Sequence, residues 1–135
     1  QVVTWSRENM EQSQLDGIRW IVEDATKFVE REVRRGNKYH GIILDPPSFG
    51  RGPNGEKWKI EEGISELCEL VADLLSDNPL FVCLNSYTTG LQPTVMANIL
   101  KLTLPTTAKI EADEIGIATD EGLVLPQGCT AFATF

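Results

Sequence analysis

The 135-residue chain lacks the residue sets that mark several classes of protein. Its three cysteines, Cys68, Cys83 and Cys129, are far apart, no Cys-x-x-Cys pair occurs, and His40 is the only histidine. We therefore expect neither a disulfide framework nor a zinc site or other metal site, because these need closely spaced ligands. Cys68 and Cys83 lie within apolar runs, where we expect them to be small buried hydrophobes.

Long apolar runs and positive charge are also scarce. No run approaches the ~20 apolar residues that cross a membrane, and no signal peptide opens the chain. These absences favour a cytoplasmic protein that does not bind membranes. The net charge of −8 argues against a large phosphate-binding surface within this chain. A nucleic-acid substrate stays open, because another domain can supply that surface.

The residues that are present predict one compact domain of mixed α/β type. Hydrophobic residues make up 41% and charged residues 24% of the chain, which is typical of a globular protein. Helix-like stretches alternate with short apolar runs, as in parallel βα units. The predicted order is a helix over 1–14, a strand over 18–23, a helix between Asp24 and Gly36, a strand over 39–45, a loop over 46–57, a helix over 58–76, a strand over 80–86, a helix from 93 to about 102, and antiparallel strands over about 109–118 and 130–135.

The first three predicted strands should be parallel to one another, and the last two should form an antiparallel pair. The unbroken run Ile42-Ile43-Leu44 suits a strand that is buried on both faces. Between the last two strands, Asp120-Glu121-Gly122 and Pro126-Gln127-Gly128 predict a loop.

Polar residues follow directly after each of the three predicted parallel strands. In open α/β sheets, ligands bind beyond the carboxyl ends of the strands. Those ends carry Glu23-Asp24, Asp45-Pro46-Pro47-Ser48-Phe49 and Asn85-Ser86-Tyr87. The sequence therefore predicts a site at this edge of the sheet.

The Asp-Pro-Pro-Ser-Phe loop is the most specific of the three strand ends. Its two prolines fix the backbone and supply no N–H donors. Their carbonyls and the Asp45 carboxylate would form an acceptor-rich corner for a planar substrate with N–H donors, and Phe49 would stack on its ring. The plainer alternative is an Asp-Pro turn that only ends a strand.

The segment IILDPPSFGRGPNGEKW, residues 42–58, resembles the fourth conserved motif of class I S-adenosylmethionine (SAM)-dependent methyltransferases. It is most similar to the branch that includes bacterial large-subunit ribosomal RNA methyltransferases. The acidic strand end at Asp24 and the antiparallel finish agree with that family. The resemblance covers nearly the whole chain, and it implies a Rossmann-like sheet and SAM as cofactor.

The resemblance also implies roles for individual residues around the cofactor and the reacting base. Asp24, with Ala25 beside it, would contact the cofactor's adenine. Asp45 would lie near the methionine end of the cofactor and the reacting base. The catalytic slot would be shaped by Pro46, Pro47 and Phe49. For Asp24, the simpler alternative is a helix cap, and one carboxylate can do both.

Substrate-binding residues are implied on two further segments. Arg51, Glu56 and Trp58 lie on the loop that would cover the substrate, while Asn85 and Tyr87 would line the far side. Simpler alternatives stand beside these roles. Arg51 would be solvated, Trp58 would lie at the edge of the core, and Tyr87 would be a partly buried tyrosine.

Two features depart from the family pattern. The Gly-rich turn that holds the methionine part of the cofactor is absent from these residues, and family order puts two strands and a helix before Gln1. We therefore expect residues 1–135 to be the C-terminal part of a catalytic domain, with an open apolar face and an uncovered sheet edge that favours homo-oligomers. Methylation of cytosine carbon needs a cysteine after a strand, where this chain has Asn85-Ser86-Tyr87, so nitrogen is the predicted target.

The leading hypothesis is methyl transfer to a nitrogen of an RNA base, in ribosomal RNA above all. A protein side-chain amide is the nearest alternative, because methyltransferases that act on glutamine use a similar Pro-Pro loop. A non-catalytic scaffold with the same fold is a third hypothesis. A dinucleotide-binding protein would need a GxGxxG turn, which these residues lack.

Overall fold

The structure is a computed structural model that describes residues 2–52 and 55–135. Helices and strands alternate over most of that length. In chain order they are α1 (Val2–Gln12), α2 (Ala25–Arg34), β1 (Gly41–Leu44), β2 (Phe49–Arg51), β3 (Lys57–Lys59), α3 (Ile60–Ala72), β4 (Phe81–Ser86), α4 (Pro93–Thr103), β5 (Lys109–Ala118) and β6 (Val124–Thr134).

A four-stranded sheet in the order β1-β4-β6-β5 forms the centre of the fold. β1 and β4 are parallel, whereas β4–β6 and β6–β5 are antiparallel. β2 and β3 form a separate antiparallel hairpin. The predicted mixed α/β class with a terminal antiparallel pair is therefore confirmed. Within residues 2–52 and 55–135, no helix has the length and apolar character needed to span a membrane.

The core lies between this sheet and the helices α3 and α4. The apolar residues of α3 recur at spacings of three and four, so they share one face, and that face is buried. Alternate residues of β4 and β6 point to the same side of the sheet. The most deeply buried apolar members of this layer are Ile60, Cys68, Val82, Leu84, Met96, Leu100, Ala131 and Ala133.

Helix α2 packs against α3 through a second, smaller cluster that includes Val29 and Leu67. Its C-terminal end is held by Glu32, whose side chain is only 1% exposed. The Glu32 carboxylate accepts hydrogen bonds from the Tyr39 hydroxyl at 2.6 Å and the Asn37 amide at 2.7 Å. These bonds outweigh the effect of burial and lower the pKa of Glu32 to about 2.

The strand predicted over residues 18–23 does not form. These residues have no regular secondary structure, and among residues 2–52 and 55–135 no strand lies beside them. A β-strand is stabilised by hydrogen bonds to a neighbouring strand, so an apolar run alone does not make one. The sheet accordingly has two parallel strands instead of the predicted three.

Three further expectations are corrected. Ile43 is 67% exposed, so β1, which lies at the edge of the sheet, is not buried on both faces. The predicted loop over 46–57 contains β2 and the start of β3 instead, although its residues 53 and 54 lie outside the described part. Pro126-Gln127-Gly128 lies within β6, opposite an irregularity at Ile115/Gly116, because the antiparallel partner β5 extends the pairing beyond the predicted start at residue 130.

Candidate functional site

The candidate site lies where β1 and β4 end. These strands are parallel neighbours, and Leu44 is paired with Leu84. The residues that follow, Asp45 and Asn85, therefore emerge at the same edge of the sheet. Asp45 is exposed, and within residues 2–52 and 55–135 its carboxylate makes no hydrogen bond or ion pair.

The Pro-Pro loop is fastened to the hairpin and to α3 by its carbonyl groups. The Trp58 indole N–H donates to the Pro47 carbonyl at 2.7 Å, and the Ile60 N–H donates to the Ser48 carbonyl at 3.1 Å. Ile60 is completely buried, so the second bond ties the loop to the core. The corner therefore has fewer free acceptors than predicted, since the Pro47 carbonyl already has one partner.

Trp58 packs between the Pro-Pro loop and helix α3. Its half-buried ring lies so close to α3 that a Cβ at Gly63 would come within 2.4 Å of ring atom Cζ3. Only glycine leaves room for the indole there. The predicted substrate contact at Trp58 thus coincides with a packing position whose N–H holds Pro47, which agrees with the simpler alternative of a residue at the edge of the core.

Phe49 and Arg51 form an exposed aromatic and cationic pair on β2. The Phe49 side chain is 51% exposed, and the guanidinium carbon of Arg51 lies 5.8 Å from the centre of its ring. This distance is within the range of a cation–π interaction. The pair leaves a ring face and a positive charge available to a flat ligand.

A pair of hydroxyl groups joins the loop to the segment after β4. Thr88 donates from its hydroxyl to the Ser48 hydroxyl oxygen at 2.5 Å, and its N–H donates to the hydroxyl of Ser86 at 3.1 Å. Our sequence reasoning assigned no role to Ser48 or Thr88. The only signal was that hydroxyl residues follow both strand ends, which is too common to select them.

Asp24 caps helix α2. Its Oδ1 accepts the Lys27 N–H at 3.0 Å, and Ala25 is exposed at the first position of the helix. The preceding residue, Glu23, accepts two hydrogen bonds from Arg31. These bonds lower the pKa of Glu23 and hold the chain at the entrance to the helix.

The end of β4 is shaped by Asn85, Tyr87 and a glycine from β6. Asn85 Oδ1 lies 3.7 Å from the Cys83 sulfur, which is half-buried and not buried as predicted. Tyr87 is 59% exposed. A Cβ at Gly128 would lie 2.5 Å from the Ser86 carbonyl oxygen and 2.8 Å from the Tyr87 ring, so Gly128 permits the close approach of β6.

The hairpin region links the start of α2 to the segment that follows β4. On one side the Lys27 ammonium lies 3.5 Å from Glu56, which brings the start of α2 next to the hairpin. On the other side the Ser48–Thr88 bond reaches the segment after β4. In the part of the chain that the structure describes, no three His, Cys, Asp or Glu side chains are grouped so that they could hold a metal ion.

Solved structures share this fold. The SAM-dependent methyltransferase from Agrobacterium tumefaciens superposes with a TM-score of 0.90 and 30% identity over 98% of this chain and 45% of that chain. The complex of SMU.776, assigned as a methyltransferase, with S-adenosylhomocysteine (SAH) has a TM-score of 0.73 and 18% identity over 95% of this chain and 34% of that one. No protein-family model and no curated protein sequence matches the chain.

The fold by itself does not specify the reaction. The precorrin-8W decarboxylase from Methanobacterium thermoautotrophicum also shares it, with a TM-score of 0.58 and 14% identity over 98% of this chain and 63% of that chain. The chain spans less than half the length of the first two solved structures. Function must therefore be argued from the site.

Proposed function

We propose that this chain is the substrate-side part of a SAM-dependent methyltransferase that modifies a ring or exocyclic nitrogen of an RNA base, ribosomal RNA in the first instance, in the cytoplasm. The observation that carries the proposal is the 30% identity to the methyltransferase from Agrobacterium tumefaciens over 98% of the chain. The resemblance of residues 42–58 to the ribosomal RNA branch supports the substrate.

The residues fit the cofactor in two places. Asp24 uses Oδ1 to cap α2, and its exposed carboxylate retains acceptor capacity for the amine of an adenine ring, beside Ala25. Asp45 is an exposed acceptor for the ammonium group of the methionine part. When bound, SAM supplies an electrophilic methyl group on a positively charged sulfur. A glycine-rich turn for the methionine part is absent from these residues, so further cofactor contacts must come from elsewhere.

The corner suits a flat nitrogen compound. Pro46 and Pro47 supply a rigid backbone without N–H groups, so the groups that face the substrate near Asp45 are mainly acceptors. An acceptor-rich corner binds the N–H side of a base. Because methyl transfer needs the nitrogen lone pair aligned with the methyl group, such positioning accounts for much of the rate.

Around this corner, other side chains hold the base in place. Phe49 offers an exposed ring for stacking, and Arg51 above it supplies positive charge for the base or its phosphate. Glu56 lies at the end of the hairpin beside Lys27, and Trp58 keeps Pro47 in position. Asn85, near the end of β4, and the exposed Tyr87 would contact the substrate from the side opposite the loop.

A second candidate substrate is a protein side-chain amide. The net charge of −8 favours it, because a surface of this sign repels phosphates. An amide presents the same N–H donors to Asp45 and the Pro-Pro corner as an exocyclic amine does. The two candidate substrates differ in the role they require of Phe49. A base would stack on its ring, whereas an amide would not need such stacking.

The experiment incubates the full protein with SAM carrying a labelled methyl group, together with undermethylated ribosomal RNA or with cell protein. We expect label in RNA, with loss of about 10²-fold in kcat for Asp45→Asn, which keeps the shape and removes the charge. Phe49→Leu should impair RNA methylation mainly through KM.

Asp77→Asn is the matched control. Asp77 precedes the start of β4, whereas Asp45 follows the end of the parallel strand β1, so the two carboxylates lie at opposite ends of these strands. If the label appears in protein and not in RNA, the substrate is a protein side-chain amide and the RNA proposal is wrong. Full activity of Asp45→Asn would show that the Asp45 carboxylate has no role in methyl transfer. Absence of SAM binding by the full protein in calorimetry would remove the function itself.

A further inference from the structure

Ser48 and Thr88 link two strand-end segments that lie 40 residues apart in sequence. Their hydroxyl oxygens are 2.5 Å apart, which is short for a bond between neutral hydroxyl groups. One residue lies inside the Asp-Pro-Pro-Ser-Phe loop and the other follows Tyr87. The bond therefore joins the loop that begins at Asp45 to the segment that follows β4.

Both partners have firmly held backbones. The Ser48 carbonyl accepts from the buried Ile60, next to the Pro47 carbonyl that Trp58 holds. The Thr88 N–H donates to Ser86, and its carbonyl accepts from the Leu91 N–H at 3.2 Å. Each segment is thus anchored to its own part of the fold, and the hydroxyl bond joins the two anchored segments to each other.

The buried side of this arrangement is rigid as well. Ser86 is 2% exposed and is backed by Gly128, whose missing side chain lets β6 lie against the Ser86 carbonyl. Leu91, which bonds to Thr88, is also buried. The position of Thr88 is thus set by the core, and its hydroxyl gives Ser48 a second anchor beside the bond from Ile60.

We propose that Ser48 and Thr88 are positioning residues whose hydrogen bond sets the separation between the Pro-Pro loop and the segment that follows β4. This inference rests on the proposed function, because the separation matters where a flat substrate must be held against Asp45. A small misplacement of the reacting nitrogen lowers the rate of transfer more than it lowers binding.

The test is a double-mutant cycle in the full protein. Thr88→Val keeps the shape and removes the hydroxyl, Ser48→Ala removes the acceptor, and Thr88→Ser keeps the bond. We expect each of the first two variants to lower kcat about tenfold, with KM and the SAM dissociation constant little changed. The double variant should be no worse than either single one, and Thr88→Ser should retain the wild-type kcat.

Thr103→Val is the matched control, since the Thr103 hydroxyl bonds, among the described residues, only within its own helix, to Ile99 at 2.9 Å. It should leave kcat unchanged. Equal kcat in wild type and Thr88→Val, or losses that add in the double variant, would overturn the inference. A loss of activity that follows thermal stability equally in all variants would overturn it as well.

A second readout does not depend on activity. The Trp58 indole N–H gives an NMR resonance that Trp58→Phe identifies, and its shift reports the bond to Pro47. We expect Thr88→Val and Ser48→Ala to move this resonance and Thr88→Ser to leave it. If the wild-type protein transfers no methyl group, the proposed function fails. The Trp58 resonance still tests the Ser48–Thr88 link: a shift in Thr88→Val and Ser48→Ala supports it, and an unchanged resonance overturns it.

Discussion

Residues 2–24 and residues 60–135 contain similar apolar side chains but bury them very differently. In the first region, α1 has no buried residue, Trp5 is 66% exposed and Val22 is 83% exposed. In the second, Ile60 and Leu100 are completely buried. The difference shows that an apolar pattern becomes a core only where another element supplies the opposing surface.

The two regions also differ in backbone pairing. β4 is flanked by β1 over residues 81–84 and by β6 along its whole length, so most of its N–H and C=O groups have strand partners. Residues 18–23 are similarly apolar, yet no strand lies beside them. Stability should therefore be concentrated in residues 60–135, and four sets of variants can break or sharpen that comparison.

The largest effect is expected in the core, at Leu100. Leu100→Ala removes a completely buried side chain and should lower the free energy of unfolding by about 2–5 kcal/mol. Leu102→Ala, on the same helix but 86% exposed, is the control and should change it by less than about 0.5 kcal/mol. Urea unfolding measures both, and equal losses would contradict the position of the core.

Gly128 should give the next largest effect. Its φ of +125° is unfavourable for other residues, and a Cβ there would lie 2.5 Å from the Ser86 carbonyl oxygen. Gly128→Ala should cost at least about 2 kcal/mol in urea unfolding. Gly122→Ala has φ +79° with no atom within 4 Å, and should cost only roughly 1 kcal/mol. A reversed order would contradict the close approach of β6 to β4.

A smaller, pH-dependent effect should distinguish a buried carboxylate from an exposed one. The pKa of Glu32 is lowered from 4.5 to about 2 by its hydrogen bonds, so its ionised form stabilises the folded state above pH 4.5. That contribution is lost as pH falls from 4.5 to 2. Glu32→Gln should therefore lower the Tm at neutral pH, and the difference from wild type should shrink across that window.

Glu23→Gln is the comparison for Glu32→Gln. Glu23 is paired with Arg31, but about a quarter of its side chain is exposed, so water and salt weaken the pair. The loss of Tm should be smaller than for Glu32→Gln and should diminish in added salt. Thermal melts at several pH values and salt concentrations measure both variants, and an equal response would contradict the distinction.

The smallest effect is expected at Val22. Val22→Ala should change the free energy of unfolding by less than about 0.5 kcal/mol, because the side chain is 83% exposed. The amides of residues 18–22 should exchange with solvent far faster than those of β4, because the described chain offers them no strand partner. Slow exchange over 18–22 would show that another segment pairs with these residues.

Much of the fold could be predicted from residue patterns. The spacing of Ile64, Leu67, Cys68 and Val71 predicted α3, and Pro93 predicted the start of α4. The run Leu80–Ser86 matched β4 closely. These predictions held because helix and strand periodicity is local and each element has a partner. The strand over 18–23 was wrong because the described chain supplies no strand to pair with it. The loop over 46–57 was wrong because its many Gly and Pro residues did not indicate that β2 pairs with β3.

The candidate site was predictable only in part. The strand-end rule selected Asp45, Pro47 and Asn85 from their places after apolar runs. It could not show that Trp58 holds Pro47 or that Thr88 holds Ser48, because these bonds join residues 11 and 40 positions apart. The need for glycine at Gly63 and Gly128 could not be predicted either, because it depends on the residues that pack against these two positions in the folded chain.

By itself, the sequence determined the mixed α/β class, most helices and the acceptor-rich Asp-Pro-Pro-Ser-Phe segment, because these depend on local periodicity and on the chemistry of proline and aspartate. Only the tertiary structure decided which apolar runs are buried and which carbonyls of the corner are already bonded. Burial and hydrogen bonding are relations between segments, so they exist only once the chain has brought those segments together.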